Sequence, residues 1–559
     1  MEHRSAVYDW LSILRESGPR RVRAGATYRL RREIASARRL IRLGRRDPEF
    51  PSLSHWPIKS RSRALATDIR EDLAQGVLDL RGETIEIDGA GGFGRSALES
   101  ASRLANFDAH GWEWSWYLCQ RPSGGTRTLF DAVWKAWIRD WRYSRGDAWH
   151  PFVVSSRIWV LLDVFGDLVK NGASEPSVLR HLDEASRYLD RTVEWHHGGN
   201  HILKNLKALV GVAFARGSAP LLASALLAFE REAYRQILGD GGHIERSPSY
   251  HVAALADMLD VLDLVRAAGT GSDALESTVE RARRWVVAMR SRDGNLPPFN
   301  DSSRVSAHTV SAVGLGEEER GDGRSLTVLS DSGFVRVRRS DWDLVIDAGG
   351  PGPKFNPGHA HAGALGFELS WGPQALAVDT GVSTYSGIRR SYERSAAAHN
   401  VIVVDGQDPF RMWGGFRAAR LSKTRIVAAR DEGHGCVVVA ESEFGNNHRA
   451  FLHRRTWNIS AGRVTVEDEV QGSGRHGLCW WLHLAPFVDA VRLSDRAVDL
   501  GAVWLQLGWD GAMRMVCWDQ DVAHGVSDGI GRGVVPAAAV SLEGCGDLPS
   551  RVKAEFVAK

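Results

Sequence analysis

The densest group of chemically capable side chains lies between Lys354 and Arg417. This segment contains His359, His361 and His399, together with two tyrosines and several arginines. Its alternating apolar residues and its turns are typical of a β-sheet, whose interior normally excludes ionisable groups because burying an unpaired charge is costly. Catalysis or metal binding is therefore the chemistry that we expect here.

Two of these histidines are separated by a single residue. Residues two apart point to the same face of a strand, so His359 and His361 are predicted to face one site. Asp379 follows the next apolar run, and His399 precedes another. Two histidines and one carboxylate from adjacent strands can form a zinc site. Because HxH is common and isolated histidines are usually structural, the spacing leaves metal binding and a structural role equally open.

Two polar clusters lie closer to the N-terminus, each directly before an apolar helical pattern. The first, residues 194–201, ends in Asn200 and His201, and the second, residues 240–251, contains Tyr250. Such residues at the start of a helix can be simple caps. Their similar placement before successive helices favours a shared cleft.

The periodicity of the apolar residues divides the chain into two halves. From about Ser60 to Arg290 they recur at three- and four-residue spacing, which predicts helices. From about Ser325 the period is two, with Gly- and Pro-containing turns, which predicts an antiparallel sandwich. The predicted fold class is multidomain α + β, with paired helices followed by a β-sandwich. The predicted domains are a basic arm over 1–50, a helical domain over 51–315 and a sandwich over 325–559.

The composition is that of a globular chain, with 43% hydrophobic and 25% charged residues among 559. The formal net charge of +3 does not indicate a partner. Eleven arginines lie between Arg20 and Arg46, against the single acidic residue Glu33. Such a stretch can bind an anionic polymer or a membrane surface, or it can form a solvated face of the domain.

Several classes of protein are disfavoured by what the sequence lacks. Five cysteines without a CxxC spacing argue against a disulfide framework and a cysteine zinc site. No apolar run reaches about 18 residues, so we predict no transmembrane segment. No signal peptide is recognised, which predicts a cytoplasmic location and leaves a periplasmic or secreted one open. The sequence shows neither a dinucleotide-binding fingerprint nor a P-loop, so no organic cofactor is expected. Nucleic acid is not an expected partner either.

Four patches together resemble the heparinase II/III family of polysaccharide lyases. In chain order they are GGNHILKNLKAL (198–209), DGGHIERSPSYH (240–251), GHAHAGALGFEL with ALAVDTG (358–381), and RRSYERSAAAHNVIVVDG (389–406) followed by WGGFR. The order and spacing of the patches carry the resemblance, which extends from about Trp112 to Trp480. It implies an N-terminal (α/α) toroid and a C-terminal antiparallel β-sandwich.

The resemblance also implies roles for individual residues. Asn200 resembles the amide that neutralises a uronate carboxylate, and His201 is its neighbour in the motif. Tyr250 and His359 resemble the catalytic tyrosine and histidine. The ligands implied for a structural zinc are His361, Asp379 and His399. The candidate substrate-binding residues are Arg246, Arg389, Arg390, Arg394, Trp413 and Arg417.

Two positions depart from the family pattern. Gly363 stands where many members have Asp, in the form HADAL, and Ala397 stands where Thr often precedes Ala-His-Asn. Neither change removes an implied catalytic group. Both bear on the substrate and on the outer shell of the metal.

The implied reaction is β-elimination across C4–C5 of a 4-linked uronic acid in an anionic polysaccharide, which leaves an unsaturated uronate end. Asn200 would stabilise the carboxylate as the C5 proton leaves. The base would be His359 or Tyr250, and Tyr250 is the better candidate for the acid that protonates O4.

Two alternatives accompany the lyase prediction. A glycoside hydrolase on the same toroid would need two carboxylates, for which Glu194 and Glu245 are the only obvious pair. A polysaccharide-binding or processing protein of an exopolysaccharide assembly system would show little lyase activity, and the basic arm favours it. The sequence is compatible with a monomer or a homodimer.

Overall fold

The structure is a computed structural model that describes most of the chain after residue 48. The described residues are 27–29, 31–37, 48–65, 76–87, 92–93, 95–120, 124–144, 146–315, 323–446, 449–510, 512–529 and 532–559. Most of the predicted basic arm, and residues 316–322 between the two predicted domains, therefore lie outside the described residues.

Contacts between Cα atoms divide the chain into two compact units. Among the described residues, the helical unit comprises those within 19–236 and 253–280, and the sheet unit comprises those within 237–252 and 281–559. Residues 237–252 and 281–315, which the sequence placed with the helices, thus group with the sheets.

The helical unit is built from sequential helices that pack on one another. Its helices are α1 (Ser62–Leu65), α2 (Arg95–Ser100), α3 (Arg103–Gly111), α4 (Ser115–Gln120), α5 (Gly124–Trp141), α6 (Pro151–Asp163), α7 (Glu175–Thr192), α8 (Asn200–Ala215) and α9 (Ala219–Gln236). Helix α5 buries Trp134 and Trp137 on one face, as their spacing predicts. Helix α8 packs against α6, α7 and α9.

Two further helices span the unit boundaries, and a small hairpin accompanies the helical unit. The helices are α10 (Pro248–Ala267) and α11 (Asp273–Met289), and the hairpin strands are β1 (Val77–Leu80) and β2 (Glu83–Glu86). Among the described residues, no helix is long and apolar enough to cross a membrane.

In the part of the chain that the structure describes, the sheet unit contains three antiparallel sheets of four or more strands. The first has five strands in sequential order: β3 (Leu326–Leu329), β4 (Phe334–Arg339), β5 (Trp342–Asp347), β6 (Phe367–Trp371) and β7 (Gln374–Ala377). The second has eight strands in the order β11 (Lys423–Asp431), β12 (Gly435–Asn446), β13 (Arg449–Ser460), β14 (Arg463–Gln471), β21 (Ser550–Ala558), β18 (Val503–Trp509), β17 (Ala497–Asp499) and β16 (Val491–Ser494). The third has four strands in the order β19 (Ala512–Gly529), β20 (Gly533–Asp547), β15 (Arg475–His483) and β8 (Ile402–Val404).

Shorter elements complete this unit and carry much of the site. They are helices α12 (Ala307–Ala312) and α13 (Gly387–Arg394), the hairpin of β9 (Arg411–Trp413) and β10 (Arg417–Ala419), and the 3₁₀ turns Pro357–His359 and Ala396–Ala398.

One apolar cluster joins the inner faces of the sheets. It includes Phe367, Trp457, Trp480 and Phe556, each no more than 1% exposed. The hairpins β4–β5, β6–β7, β11–β12 and β13–β14 occur where the period-two pattern predicts them. The helical half followed by an antiparallel sandwich confirms the predicted fold class.

A buried ion pair on strands β13 and β14 also contacts the backbone near Leu365 and Asn400. Asp468 on β14 accepts hydrogen bonds from His453 Nε2 (2.5 Å) and Arg455 Nε (2.6 Å). Arg455 also donates to the carbonyl oxygens of Leu365 (2.7 Å) and Asn400 (2.5 Å). Burial alone would raise the pKa of Asp468, but the charges of Arg455 and His453 hold it well below the usual carboxyl range.

We expect Asp468→Ala to lower the free energy of unfolding by about 3–5 kcal/mol, because it leaves the Arg455 guanidinium buried without a carboxylate. The contribution of Asp468 is present above the ordinary carboxyl pKa and is lost as pH falls towards the depressed folded pKa. Denaturant unfolding followed by tryptophan fluorescence measures the change. The control is Asp495→Ala, which breaks an exposed pair with Arg492 and should cost less than about 1 kcal/mol. Equal effects of the two substitutions would contradict the prediction.

Candidate active site

A single buried carboxylate organises the site in the sheet unit. Asp301, in the loop between α11 and α12, lies 2.8 Å from His359 Nδ1 through Oδ2 and 2.8 Å from His361 Nε2 through Oδ1. Arg390 binds both oxygens of the same carboxylate, with Nη2 2.9 Å from Oδ2. Burial would raise the pKa of Asp301, but the Arg390 charge and the two histidine hydrogen bonds hold it well below the usual range.

The two histidines meet one site for a different reason than the sequence predicted. His359 ends a 3₁₀ turn and His361 follows in a loop, so the predicted strand geometry is wrong. Their backbone groups bond to another loop instead of a ladder, since Asp301 N donates to the His359 carbonyl (3.2 Å) and His361 N donates to Asn300 Oδ1 (3.1 Å). The shared carboxylate, rather than strand alternation, brings the imidazoles together.

Tyr250 is the third residue of α10 and stands beside His359. The two ring centroids are 4.5 Å apart with the planes at 70°, and the Tyr250 hydroxyl is 2.7 Å from that of Tyr385. Burial, with the Tyr385 phenol and the Asp301 charge, raises the pKa of Tyr250 well above its usual value. The phenol therefore keeps its proton over the ordinary pH range.

The protonation of His359 follows from its contact with Asp301. An ionised carboxylate only accepts, so Nδ1–H donates to Asp301, and Nε2 carries the lone pair of the neutral ring. Burial lowers the pKa of His359, but the Asp301 hydrogen bond and the charges of Glu245 and Asp301 outweigh it, and the pKa is raised. An imidazole that can take a proton thus lies next to a phenol that can give one.

Four of the five arginines predicted to bind substrate are engaged by groups of the protein itself. Arg390 is committed to Asp301, and Arg246 pairs with Asp347 and donates to the Ser332 carbonyl at 2.6 Å. The remaining contacts are Arg389 with Glu393 (2.9 Å) and the Gly525 carbonyl (2.7 Å), and Arg394 with the Ala360 (3.2 Å) and Gly415 (3.1 Å) carbonyls. These contacts give the four guanidinium groups a framework role and lend no support to their predicted role in substrate binding.

The hairpin β9–β10 carries the other two predicted substrate-binding residues. Trp413 and Arg417 are cross-strand partners, with Trp413 half-buried and Arg417 exposed. Within the described residues, no ring contact joins Trp413 to His359 or Tyr250. Phe416, which lies between Trp413 and Arg417 in the sequence, has its ring centroid 5.8 Å from that of His359.

The helical unit holds the first polar cluster. Asn200 and His201 are the first two residues of α8, as predicted, and Asn200 is half-buried. His201 Nδ1 is 3.2 Å from both carboxylate oxygens of Glu194, and its ring stacks on His197 at 4.5 Å. Burial would raise the pKa of Glu194, but His201 and its neighbouring histidines hold it at about 2.

The structure gives less support to Glu194 and Glu245 as the carboxylate pair of a glycoside hydrolase. Glu194 is engaged by His201 in the helical unit, whereas Glu245 belongs to the sheet unit. Sequence reasoning missed Asp301 and Tyr385, which stand in none of the quoted motifs, and it also passed over Phe416, although Phe416 lies within WGGFR.

The implied zinc ligands lie close together without forming a complete coordination set. His399 Nδ1 is 2.7 Å from Asp379 Oδ2, and the ring centroids of His361 and His399 are 5.4 Å apart. His361 Nδ1 and His399 Nε2 are buried and have no hydrogen-bond partner, which suits two metal-binding nitrogens. Asp379 instead forms a hydrogen bond with the other ring nitrogen of His399, Nδ1.

A zinc site with one coordination position left open uses three protein ligands. In the part of the chain that the structure describes, no three His, Cys, Asp or Glu side chains are arranged to hold a metal ion. The zinc therefore stays a prediction.

We expect metal analysis of the purified protein to find about one zinc per chain, and His361→Ala to lose it, if the predicted ligand set is correct. Elemental analysis after dialysis, together with circular dichroism to confirm folding, measures this. His434→Ala, a change of an exposed histidine, is the control and should retain the metal. A folded, metal-free wild type would contradict the zinc assignment.

Comparison with known proteins identifies the family. The sequence pattern of the heparinase II/III N-terminus matches residues 131–314, and that of the heparinase II/III-like C-terminal domain matches residues 321–520. The structure resembles the crystal structure of heparinase III with a TM-score of 0.71 and 16% identity, covering 96% of this chain and 90% of that one. It resembles heparan sulfate lyase HepC from Pedobacter heparinus with a TM-score of 0.58 and 17% identity, covering 96% and 88%.

Two curated proteins are similar in sequence. FtsZ-localized protein C of Caulobacter vibrioides is 27% identical over 379 residues, 63% of this chain and 61% of that protein. Heparin-sulfate lyase of Pedobacter heparinus is 26% identical over 297 residues, 46% of this chain and 44% of that protein. The matches thus span less than two thirds of the length of either relative.

The fold and the matched sequence patterns together define the class of protein. The architecture is that of the toroid-and-sandwich polysaccharide lyases, with a helical toroid followed by an antiparallel β-sandwich. The chain belongs to the heparinase II/III-like family, as its motifs predict.

Proposed function

We propose that the protein is a polysaccharide lyase that cleaves a 4-linked uronic-acid polymer by β-elimination. The observation that carries the proposal is the contact between Tyr250 and His359, whose rings are 4.5 Å apart while Asp301 orients the imidazole. Membership of the family and the fold shared with heparinase III support it.

The protonation states of the pair favour one assignment of base and acid. Neutral His359 takes the C5 proton on Nε2, and the electrons of the C5–H bond form the C4–C5 double bond. The C4–O4 bond breaks, and Tyr250 donates its proton to O4. Because the pKa of Tyr250 is raised well above its usual value, the phenol suits the acid better than the base.

Charge also develops on the uronate carboxylate as the C5 proton leaves. The amide of Asn200 is our candidate to stabilise it, on the basis of the family motif, and a good donor of this kind contributes roughly 3–4 kcal/mol. Tyr385 shares a hydrogen bond with Tyr250 and can return a proton to it. No step of the proposal passes through a metal.

A panel of uronate polymers tests the proposal. Cleavage by elimination produces ultraviolet absorbance from the new C4–C5 double bond, whereas hydrolysis produces reducing ends without that absorbance. Binding with neither product would favour the polysaccharide-binding alternative. The absence of absorbance with every polymer of the panel would contradict the lyase proposal.

A further inference from the structure

A single amide side chain lies between the segment that carries Tyr250 and the segment that carries His359. Asn300, in the loop between α11 and α12, is 6% exposed. Its Oδ1 accepts a hydrogen bond from the His361 backbone N–H (3.1 Å), and its Nδ2 donates to the Arg246 carbonyl oxygen (3.0 Å). Arg246 lies shortly before Tyr250 in the sequence, and His361 lies shortly after His359. One buried side chain therefore bridges the two segments.

The two partners of the amide also fix its orientation. A backbone N–H group only donates and a carbonyl oxygen only accepts, so Oδ1 faces His361 and Nδ2 faces Arg246. Nδ2 also lies 3.5 Å from Asp347 Oδ2, a second acceptor. An aspartate of the same shape would place an oxygen against the Arg246 carbonyl and lose that hydrogen bond. The bridge therefore requires an amide.

The backbone of Asn300 adopts a conformation that few side chains tolerate. Its φ of 57° lies in the left-handed region, which Asn enters more readily than most residues with a side chain. The turn brings the next residue to the imidazole, since Asp301 N donates to the His359 carbonyl oxygen (3.2 Å) and Asp301 Oδ2 lies 2.8 Å from His359 Nδ1. Glycine would allow this turn without the bridge, so Asn meets both demands.

Neighbouring residues attach the start of α10 to the same loop. Ser247 Oγ donates to the Asp301 carbonyl oxygen (2.7 Å), and Ser249 N donates to Ser302 Oγ (3.0 Å). The Asn300 amide differs from these contacts because it also reaches the histidine segment. Its removal would leave the segments attached to the loop but less well fixed relative to each other.

We propose that Asn300 is a positioning residue that fixes the separation of the Tyr250 and His359 rings. The inference rests on the proposed function for the roles of these rings as acid and base. The ring centroids are 4.5 Å apart. A small displacement of either ring matters, because the acid and the base must both reach their atoms of one substrate. Asn300 itself takes no part in proton transfer.

The test removes the amide and keeps the left-handed turn. Asn300→Gly does this, since glycine adopts a positive φ without strain. Asn300→Asp keeps the shape and the acceptor for the His361 N–H group, and it lacks the donor for the Arg246 carbonyl oxygen. Asn171→Gly is the matched control, because Asn171 has a similar φ of 61° and is exposed in the helical unit.

Two measurements on the full-length protein separate positioning from a merely structural effect. The first is kcat and KM for polymer cleavage at the plateau of the pH profile, with the denaturation midpoint measured alongside. At the plateau, the new charge of Asn300→Asp does not alter the fraction of neutral base. The second needs no activity: with labelled tyrosine and histidine, a nuclear Overhauser effect reports the separation of the Tyr250 and His359 rings. Its loss in Tyr250→Phe assigns the signal.

We expect Asn300→Gly and Asn300→Asp each to lower kcat about tenfold or more, because both release the segment that carries Tyr250. KM should stay within about threefold of the wild type, since the surfaces that bind the polymer are unchanged. The nuclear Overhauser effect should weaken in both variants. Asn171→Gly should leave kcat, KM and the nuclear Overhauser effect at their wild-type values.

Several outcomes would overturn the inference. These are a kcat within about twofold of the wild type in Asn300→Gly, a change in KM alone, a loss of kcat that Asn300→Asp does not share, and an unchanged nuclear Overhauser effect in both variants. Failure of both variants to fold would give Asn300 a structural role and reject the inference, whereas one folded variant is enough for the test. If the wild type forms no unsaturated product, the lyase proposal is rejected, and the nuclear Overhauser effect alone decides whether Asn300 fixes the rings.

Discussion

Tyr250→Phe should lower the rate of unsaturated product formation by about 10²–10⁴-fold, the usual contribution of a positioned acid or base. The substitution removes the hydroxyl that lies 2.7 Å from Tyr385 and leaves the ring against His359. The leaving O4 then lacks its proton donor, while the surfaces that bind the polymer are unchanged. We therefore expect kcat to fall with little change in KM, as measured by ultraviolet absorbance.

The matched control for this prediction is Tyr234→Phe. Tyr234 is 68% exposed on α9, so loss of its hydroxyl should leave kcat within about twofold of the wild type. If Tyr250→Phe retained more than about a third of the wild-type kcat, Tyr250 would not be the acid.

Asp301→Asn should lower both activity and stability, because one carboxylate serves three partners. Loss of its charge leaves the Arg390 guanidinium buried without a counterion, which costs about 3–5 kcal/mol in similar cases. An amide can also present its N–H group to His359 Nδ1, which would put the lone pair of the imidazole on the wrong nitrogen. We expect kcat to fall by about 10²–10⁴-fold.

The pH profile separates this role from a merely structural one. A base must be neutral, so activity in the wild type should rise as pH increases through the raised pKa of His359. Without the Asp301 hydrogen bond, burial dominates and lowers that pKa, so the residual activity of Asp301→Asn should begin to rise at lower pH. An unshifted profile would contradict the positioning role.

Asp431→Asn is the control for stability. Asp431 is exposed, and it contacts Arg339 at 3.5 Å, the Ser325 hydroxyl and the Gly433 backbone amide, so its neutralisation should leave the denaturation midpoint nearly unchanged.

Much of the fold follows from periodicity because the hydrophobic pattern is local. Strands β4 and β5 place every second residue in the apolar core, although the residues between them are buried as well, and α8 repeats its apolar residues at helical spacing. The placement of Asn200 at a helix start could be read in the same way. Local patterns of this kind predicted the helix that carries Tyr250, whereas His359 lies at the end of a 3₁₀ turn and not on the predicted strand.

The partners of the site residues could not be predicted in this way. Asp301 lies 58 residues before His359 in the sequence, and only the tertiary fold brings the two together. Arg246 pairs with Asp347, 101 residues away, so the sequence could not show that its guanidinium was already engaged. An arginine that binds substrate and one that binds the protein look alike until long-range contacts are known.

The turn of the hairpin β9–β10 belongs to the same contact network as Asp301. The Gly415 carbonyl accepts hydrogen bonds from Arg390 Nε (3.0 Å) and Arg394 Nη1 (3.1 Å), and Arg390 in turn binds Asp301. A library that randomises this hairpin would therefore also perturb the carboxylate that orients His359, so surface variation and the geometry of the buried groups are not independent here.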